Sequence, residues 1–158
     1  MGRRYTVPFR KITVSTIGDL AGYVAAAGKF SRLLRFWVDE CDNPSLVSAF
    51  DLDISIWRYT SNVSQGTGYT GQNPVALDPG DGAASGTGWI GPTSAIATTS
   101  GSKVLVWAKS CHLYQGLDVM LGDGVPVINL EGAIMQILTA PPSGTIMSGG
   151  ILIEEIGG

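Results

Sequence analysis

The alternation between residues 51 and 59 places the strongest constraint on the fold: Leu52, Ile54 and Ile56 are interleaved with Asp53, Ser55 and Trp57. A period of two sends each set to one face, which is the pattern of a half-buried antiparallel strand. Val104, Val106 and Ala108 oppose Leu105, Trp107 and Lys109 in the same way. Within residues 31–39, Leu34, Phe36 and Val38 oppose Leu33, Arg35 and Trp37. Further β-branched and aromatic segments fall at residues 4–9, 12–17, 20–24, 132–139 and 145–156, and no stretch carries a convincing period of 3.6. The chain is therefore expected to be all-β, an antiparallel β-sandwich of about eight strands. With 158 residues it suits one domain with a sizeable core.

Pro8 lacks a ladder donor, so residues 1–11 are expected to form an extended N-terminal arm or an edge strand. Residues 61–94 are rich in Gly, Thr, Ser and Asn with little apolar periodicity, and predict one long loop. That loop holds a near-duplication, Gly66-Thr67-Gly68-Tyr69-Thr70-Gly71 and Gly86-Thr87-Gly88-Trp89-Ile90-Gly91. The spacing is that of a dinucleotide-binding turn, but that chemistry needs a strand before and a helix after, and Pro74 and Pro92 follow instead. Tyr69 and Trp89 therefore read either as aromatic contacts for a partner or as residues packed back on their own domain.

Charge is unevenly placed. The net charge is −3, yet residues 1–35 carry seven Lys/Arg against Asp19 alone, so +6, which leaves −9 for the remainder. A cationic first segment beside an acidic remainder suits contact between subunits or with an acidic protein surface. The pI near 4.9 and the lack of a nucleic-acid module argue against nucleic acid. No run of 18 apolar residues predicts a membrane helix, and Arg3-Arg4 leads into Tyr5-Thr6-Val7-Pro8 rather than a secretory apolar segment, so an intracellular location until assembly is expected.

No catalytic, cofactor or metal site emerges. His112 is the only histidine, and Cys111 beside it would point to the opposite face of a strand. Cys41 and Cys111 read as two buried free thiols rather than a disulfide. Asp78-Pro79-Gly80-Asp81-Gly82 and Gly122-Asp123-Gly124 read as turns and not as calcium loops. Glu154 and Glu155 fall on opposite faces of a strand and make no acid–base pair.

Tyr5-Thr6-Val7-Pro8-Phe9, Arg32-Leu33-Leu34, Leu77-Asp78-Pro79, Leu138-Thr139-Ala140-Pro141 and Gly150-Ile151-Leu152-Ile153-Glu154-Glu155 together resemble small virion proteins of tailed bacteriophages, similar to capsid decoration (cement) proteins. The resemblance implies a jelly-roll-like sandwich set as a homotrimer on the exterior of a capsid, with the major capsid protein or another virion protein as partner. The capsid contact is expected from Arg3, Arg4, Tyr5, Phe9, Arg10, Lys11, Tyr69 and Trp89, and the protomer contact from Phe36, Trp37 and Trp57. The alternative is a tail, neck or fibre module that binds a partner or host glycan through its aromatic loop.

Overall fold

The computed structural model describes residues 2–39, 50–112 and 114–157. Eleven strands are found among them: β1 (Arg3–Val14), β2 (Gly18–Val24), β3 (Phe30–Val38), β4 (Asp51–Tyr59), β5 (Thr70–Gln72), β6 (Val75–Ala76), β7 (Thr87–Ile90), β8 (Lys103–His112), β9 (Leu117–Ile128), β10 (Gly132–Ile137) and β11 (Thr145–Ile156). Sheet A has the order β6-β1-β11-β3-β9 and sheet B the order β5-β7-β2-β10-β4-β8, with every pairing antiparallel. The sheets form a β-sandwich whose core draws Val7, Phe9, Leu33, Phe36, Ile151 and Ile153 from sheet A and Leu20, Tyr23, Ile54, Ile56, Met135 and Ile137 from sheet B.

The count of eleven against about eight has a simple cause. Eight strands have six or more residues, and the other three, of two to four residues, lie inside the long segment 61–94 that was expected to be a loop. Numbered among themselves along the chain, the eight long strands run 1-8-3-6 across sheet A and 2-7-4-5 across sheet B.

Bulges account for the other departures. Residues 4–9 and 12–17 were expected as two strands, but β1 is one strand that shifts register between Phe9 and Ile12, where Lys11 takes a φ of 51°. The one extra residue at Arg10-Lys11, which together oppose Ser148, returns Ile12 and Val14 to the core side already occupied by Tyr5, Val7 and Phe9. Strand β1 pairs with β11 from Arg3 to Val14 and with β6 at Tyr5 and Thr6, so the N-terminal segment is built into sheet A and does not extend as an arm. Likewise Gly122-Asp123-Gly124 is a bulge within β9, with both glycines at positive φ, and not a turn between strands. Cys41 lies outside the described residues.

Candidate functional site

The two sheets treat their outer faces differently. Strand β10 is buried at all six positions: Ala133, Met135 and Ile137 face the core, while Ile134 joins Tyr59, Trp89 and Ala97 in a second apolar cluster on the far side. That cluster is covered by segments 61–69 and 91–99, which bond to each other through Ser64 and Thr98 and through Thr67 and Ser94.

The glycine motifs belong to this cover. Strand β5 pairs with β7, setting Gly71 opposite Trp89, so the tails of the two similar hexapeptides are strand partners. A Cβ at Gly86 would fall 2.3 Å from the Tyr23 hydroxyl oxygen, and one at Gly66 would fall 1.9 Å from the Ala95 carbonyl oxygen. Glycine is needed there for close packing, with no role for a phosphate. Trp89 is fully enclosed and lies on Gly22, so it is not available to a partner.

Asp19 fastens the cover to sheet B. Its carboxylate, fully buried, accepts from Gln136 Nε2 (2.5 Å) and from the Ala97 amide (2.8 Å), while its own amide donates to Thr93 Oγ1 (2.8 Å). Gln136 also donates to the Tyr59 hydroxyl (2.9 Å) and accepts from Lys103 Nζ (2.9 Å), whose ammonium sits 4.1 Å from the centre of the Trp57 ring. Burial pushes the Asp19 carboxyl up to about 6, against the opposing pull of Gln136, Ala97 and Lys103. With a folded pKa above the unfolded value of 3.8, the native state binds the extra proton, so this group makes the protein less stable as pH rises from about 4 to 6. Urea unfolding at pH 7 and pH 4.5 should show the wild type gaining on Asp19→Asn by roughly 2 kcal/mol as pH falls. An unchanged gap would mean that Asp19 is not charged and enclosed in the native state.

Glu155 makes a second clasp. It accepts from the Ser85 amide (3.0 Å), the Gly86 amide (2.9 Å) and the Tyr23 hydroxyl (2.7 Å). Burial pushes its carboxyl up, but the Gly86 and Ser85 donors and Tyr23 outweigh that and hold it below the usual glutamate value. Its stabilising effect is therefore present above about pH 4.5 and lost as pH falls. Oε1 alone meets all three donors and Oε2 adds a second bond from the Ser85 amide (3.1 Å), so Glu155→Gln loses the charge that strengthens these bonds and turns an NH₂ toward the Ser85 N–H. The expected loss is about 1–3 kcal/mol, with faster hydrogen exchange at the Ser85 and Gly86 amides; unchanged exchange there would contradict the clasp.

The expected capsid-contact residues are scattered. Arg3 and Arg4 are exposed at the start of β1, where Arg3 Nε lies 3.7 Å from Asp81 Oδ1 and Arg4 Nε lies 3.5 Å from Glu154 Oε1. With Leu77 and Asp78 they line an open groove of about 550 Å³. Tyr5 is buried and its hydroxyl donates to the Gly82 carbonyl (3.1 Å); Phe9 is buried in the core. Neither can meet a partner in this fold, because alternation along β1 turns both inward. Arg10 and Lys11 are exposed at the β1 bulge, and Tyr69 is 47% exposed.

Of the expected protomer contacts, Phe36 belongs to the core, edge-on to Trp107 at 4.8 Å between ring centres. The bulge at Leu34 places Leu33 and Phe36 on the same side, which simple alternation does not allow. Trp57 is partly buried on sheet B beneath Lys103, and its Nε1 donates to Ser55 Oγ (2.7 Å). Trp37 alone stands on the outer face of sheet A.

That face has no cover among the described residues, and its register can be read in rows. Pro8, Gly150, Trp37 and Asp118 form one row; Thr6, Leu152, Arg35 and Met120 the next; Arg4, Glu154, Arg32 and Pro126 the third. Trp37 lies across Gly150, where a Cβ would come within 2.8 Å of the indole, and the Arg35 guanidinium sits 5.1 Å from the indole centre. Arg35 is locked in turn by paired bonds to Asp118 at 2.7 and 2.6 Å. Leu34, Leu152 and Met120 complete an apolar centre in which Met120 is 66% exposed. Sequence reading singled out Trp37, as a protomer contact, and did not single out Leu152 or Met120, the latter because β9 itself was not foreseen.

Burial, aided by Asp51, pushes the Cys111 thiol up against the pull of Lys109, which disfavours the thiolate. His112 Nδ1 accepts from the Tyr114 amide (3.4 Å), and no group of three or more His, Cys, Asp and Glu suited to a metal gathers among the described residues. The described residues contain no helix long and apolar enough to cross a membrane. No protein-family model, no curated protein and no solved structure matches this chain.

Proposed function

We propose that the chain is a structural virion protein that decorates and stabilises a tailed-phage capsid by binding the major capsid protein lattice, and that its sandwich is a jelly roll. The pairing of the first long strand with the eighth, second with seventh, third with sixth and fourth with fifth supports the jelly roll, a two-sheet form common in viral capsid and lectin domains. Fold alone does not settle a role. The observation that carries the reading is the contrast between the faces: the chain covers sheet B over β7, β2 and β10 with its own loops, leaving its edge strand β8 exposed, and leaves on sheet A a Trp37–Arg35 platform with Leu152 and Met120 around it. Aromatic residues, Met and Arg are the types enriched at protein interfaces. A symmetric oligomer, a trimer by the resemblance, would add avidity without any single strong contact.

A tail, neck or fibre module that stacks a host glycan would have Tyr69 to use but not Trp89, which is enclosed. Quantitative mass spectrometry of purified particles is expected to find this chain in copy numbers comparable to the capsid protein. A few copies per particle, or none, would contradict the proposal.

A further inference from the structure

The outer face of sheet A carries charge as well as apolar surface, and its cations are not all used. Arg4 is paired with Glu154 and Arg35 with Asp118, while Asp39 at the end of β3 also acts on Arg35. Arg10, Lys11 and Arg32 take part in none of the three ion pairs among the described residues. Arg32 rests over the Phe30 ring at 5.4 Å, and Lys11 uses its backbone amide, not its ammonium, to reach Ser148 Oγ (3.0 Å). Arg10 and Lys11 are raised on the β1 bulge at one end of the rows, and Arg32 lies in the row at the other end. The apolar centre of Leu34, Trp37, Leu152 and Met120 therefore lies between Arg10 and Lys11 at one end and Arg32, which stands opposite Glu154 without an ion pair, at the other.

We propose that this face is the attachment surface, and that its occupant is a protein surface with an apolar centre and carboxylates at its rim. This rests on the decoration reading and specifies the partner's chemistry. Trp37 supplies the buried area: its indole is already fixed between Gly150 and Arg35, so little side-chain freedom is lost on docking. The unpaired cations supply orientation and association rate, and their effect is screened by salt. Charge alone would also fit nucleic acid, but the four apolar side chains at the centre favour a protein.

The test is rebinding of the purified full chain to particles stripped of it. Wild-type binding is expected to weaken at least tenfold between 50 and 300 mM salt. Lys11→Glu/Arg32→Glu should lose at least tenfold at low salt, and Trp37→Ala at least tenfold at any salt. Lys109→Glu, on β8 of the other sheet, should rebind as wild type. All variants are checked for native circular dichroism; the paired reversal, at exposed and partly exposed positions, keeps the test valid should Trp37→Ala fail to fold. Rebinding by the reversed variant as tight as wild type, or loss only in Lys109→Glu, would overturn the face while leaving the decoration reading intact. Tighter binding of wild type to a 20-base-pair DNA duplex than to particles would overturn the occupant. Absence of any wild-type rebinding would instead strike the decoration reading itself.

Discussion

Replacing Trp89 by alanine is expected to cost about 3–5 kcal/mol of folding free energy. Trp89 is among the largest fully buried side chains, and it fills the space between sheet B and its loop cover beside Tyr59, Ala97 and Ile134. Removing the indole leaves a cavity that the two tied segments, fixed by Asp19 and the Ser64–Thr98 bridge, cannot readily close. Trp89→Phe should cost less than its lost volume suggests, because the indole Nε1 is buried with no acceptor and that unmet donor goes with it. Urea unfolding at pH 7 measures both, and a loss below about 1 kcal/mol for alanine would mean that the cover is not held by this residue.

Gly22→Ala is expected to cost about 2–3 kcal/mol from overpacking. The new methyl would lie 2.1 to 2.5 Å from three atoms of the Trp89 indole, well inside contact distance. The indole is wedged in the cover and has little room to retreat. The decisive feature is coupling: in a Trp89→Ala background the methyl enters vacated space, so the cost should fall by at least about 1.5 kcal/mol. A double-mutant cycle with no coupling would show that Gly22 is needed for its backbone and not for the ring above it.

How far the residues announced this fold follows from where their pattern is regular. Strand β4 was legible because Leu52, Ile54 and Ile56 face a continuous core while Asp53, Ser55 and Trp57 do not. The alternation breaks at Arg10-Lys11 in β1, at Leu34 in β3 and at Gly122–Gly124 in β9, and each break is a bulge. A bulge inserts residues without ending the strand, so one strand reads as two, or as a turn. Strand β10 hid its double burial because Gln136 looks polar, although it is satisfied by Asp19, Tyr59 and Lys103.

The candidate site divides the same way. Trp37 was legible from a strand apolar on both faces, but that pattern also brought in Phe36, which the Leu34 bulge turns into the core. Trp89 read either as a partner contact or as packed back on its own domain, because glycines and threonines surround it; the second is what the structure has. The signal for that packing was Gly22 in a strand and Gly88 beside the tryptophan, since glycine within strands marks close approach of another group. Which strand would face which loop was not contained in local pattern, because it depends on pairings more than sixty residues apart in sequence, such as Gly22 with Trp89.

Cryo-electron microscopy of the particle that carries this protein tests the central claim most directly. The account predicts density on the outer capsid lattice, with Trp37, Leu152 and Met120 turned toward the capsid protein and the loop cover of sheet B toward solvent. Density confined to the tail or neck, or a lattice-bound copy with the outer face of sheet A open to solvent, would contradict it.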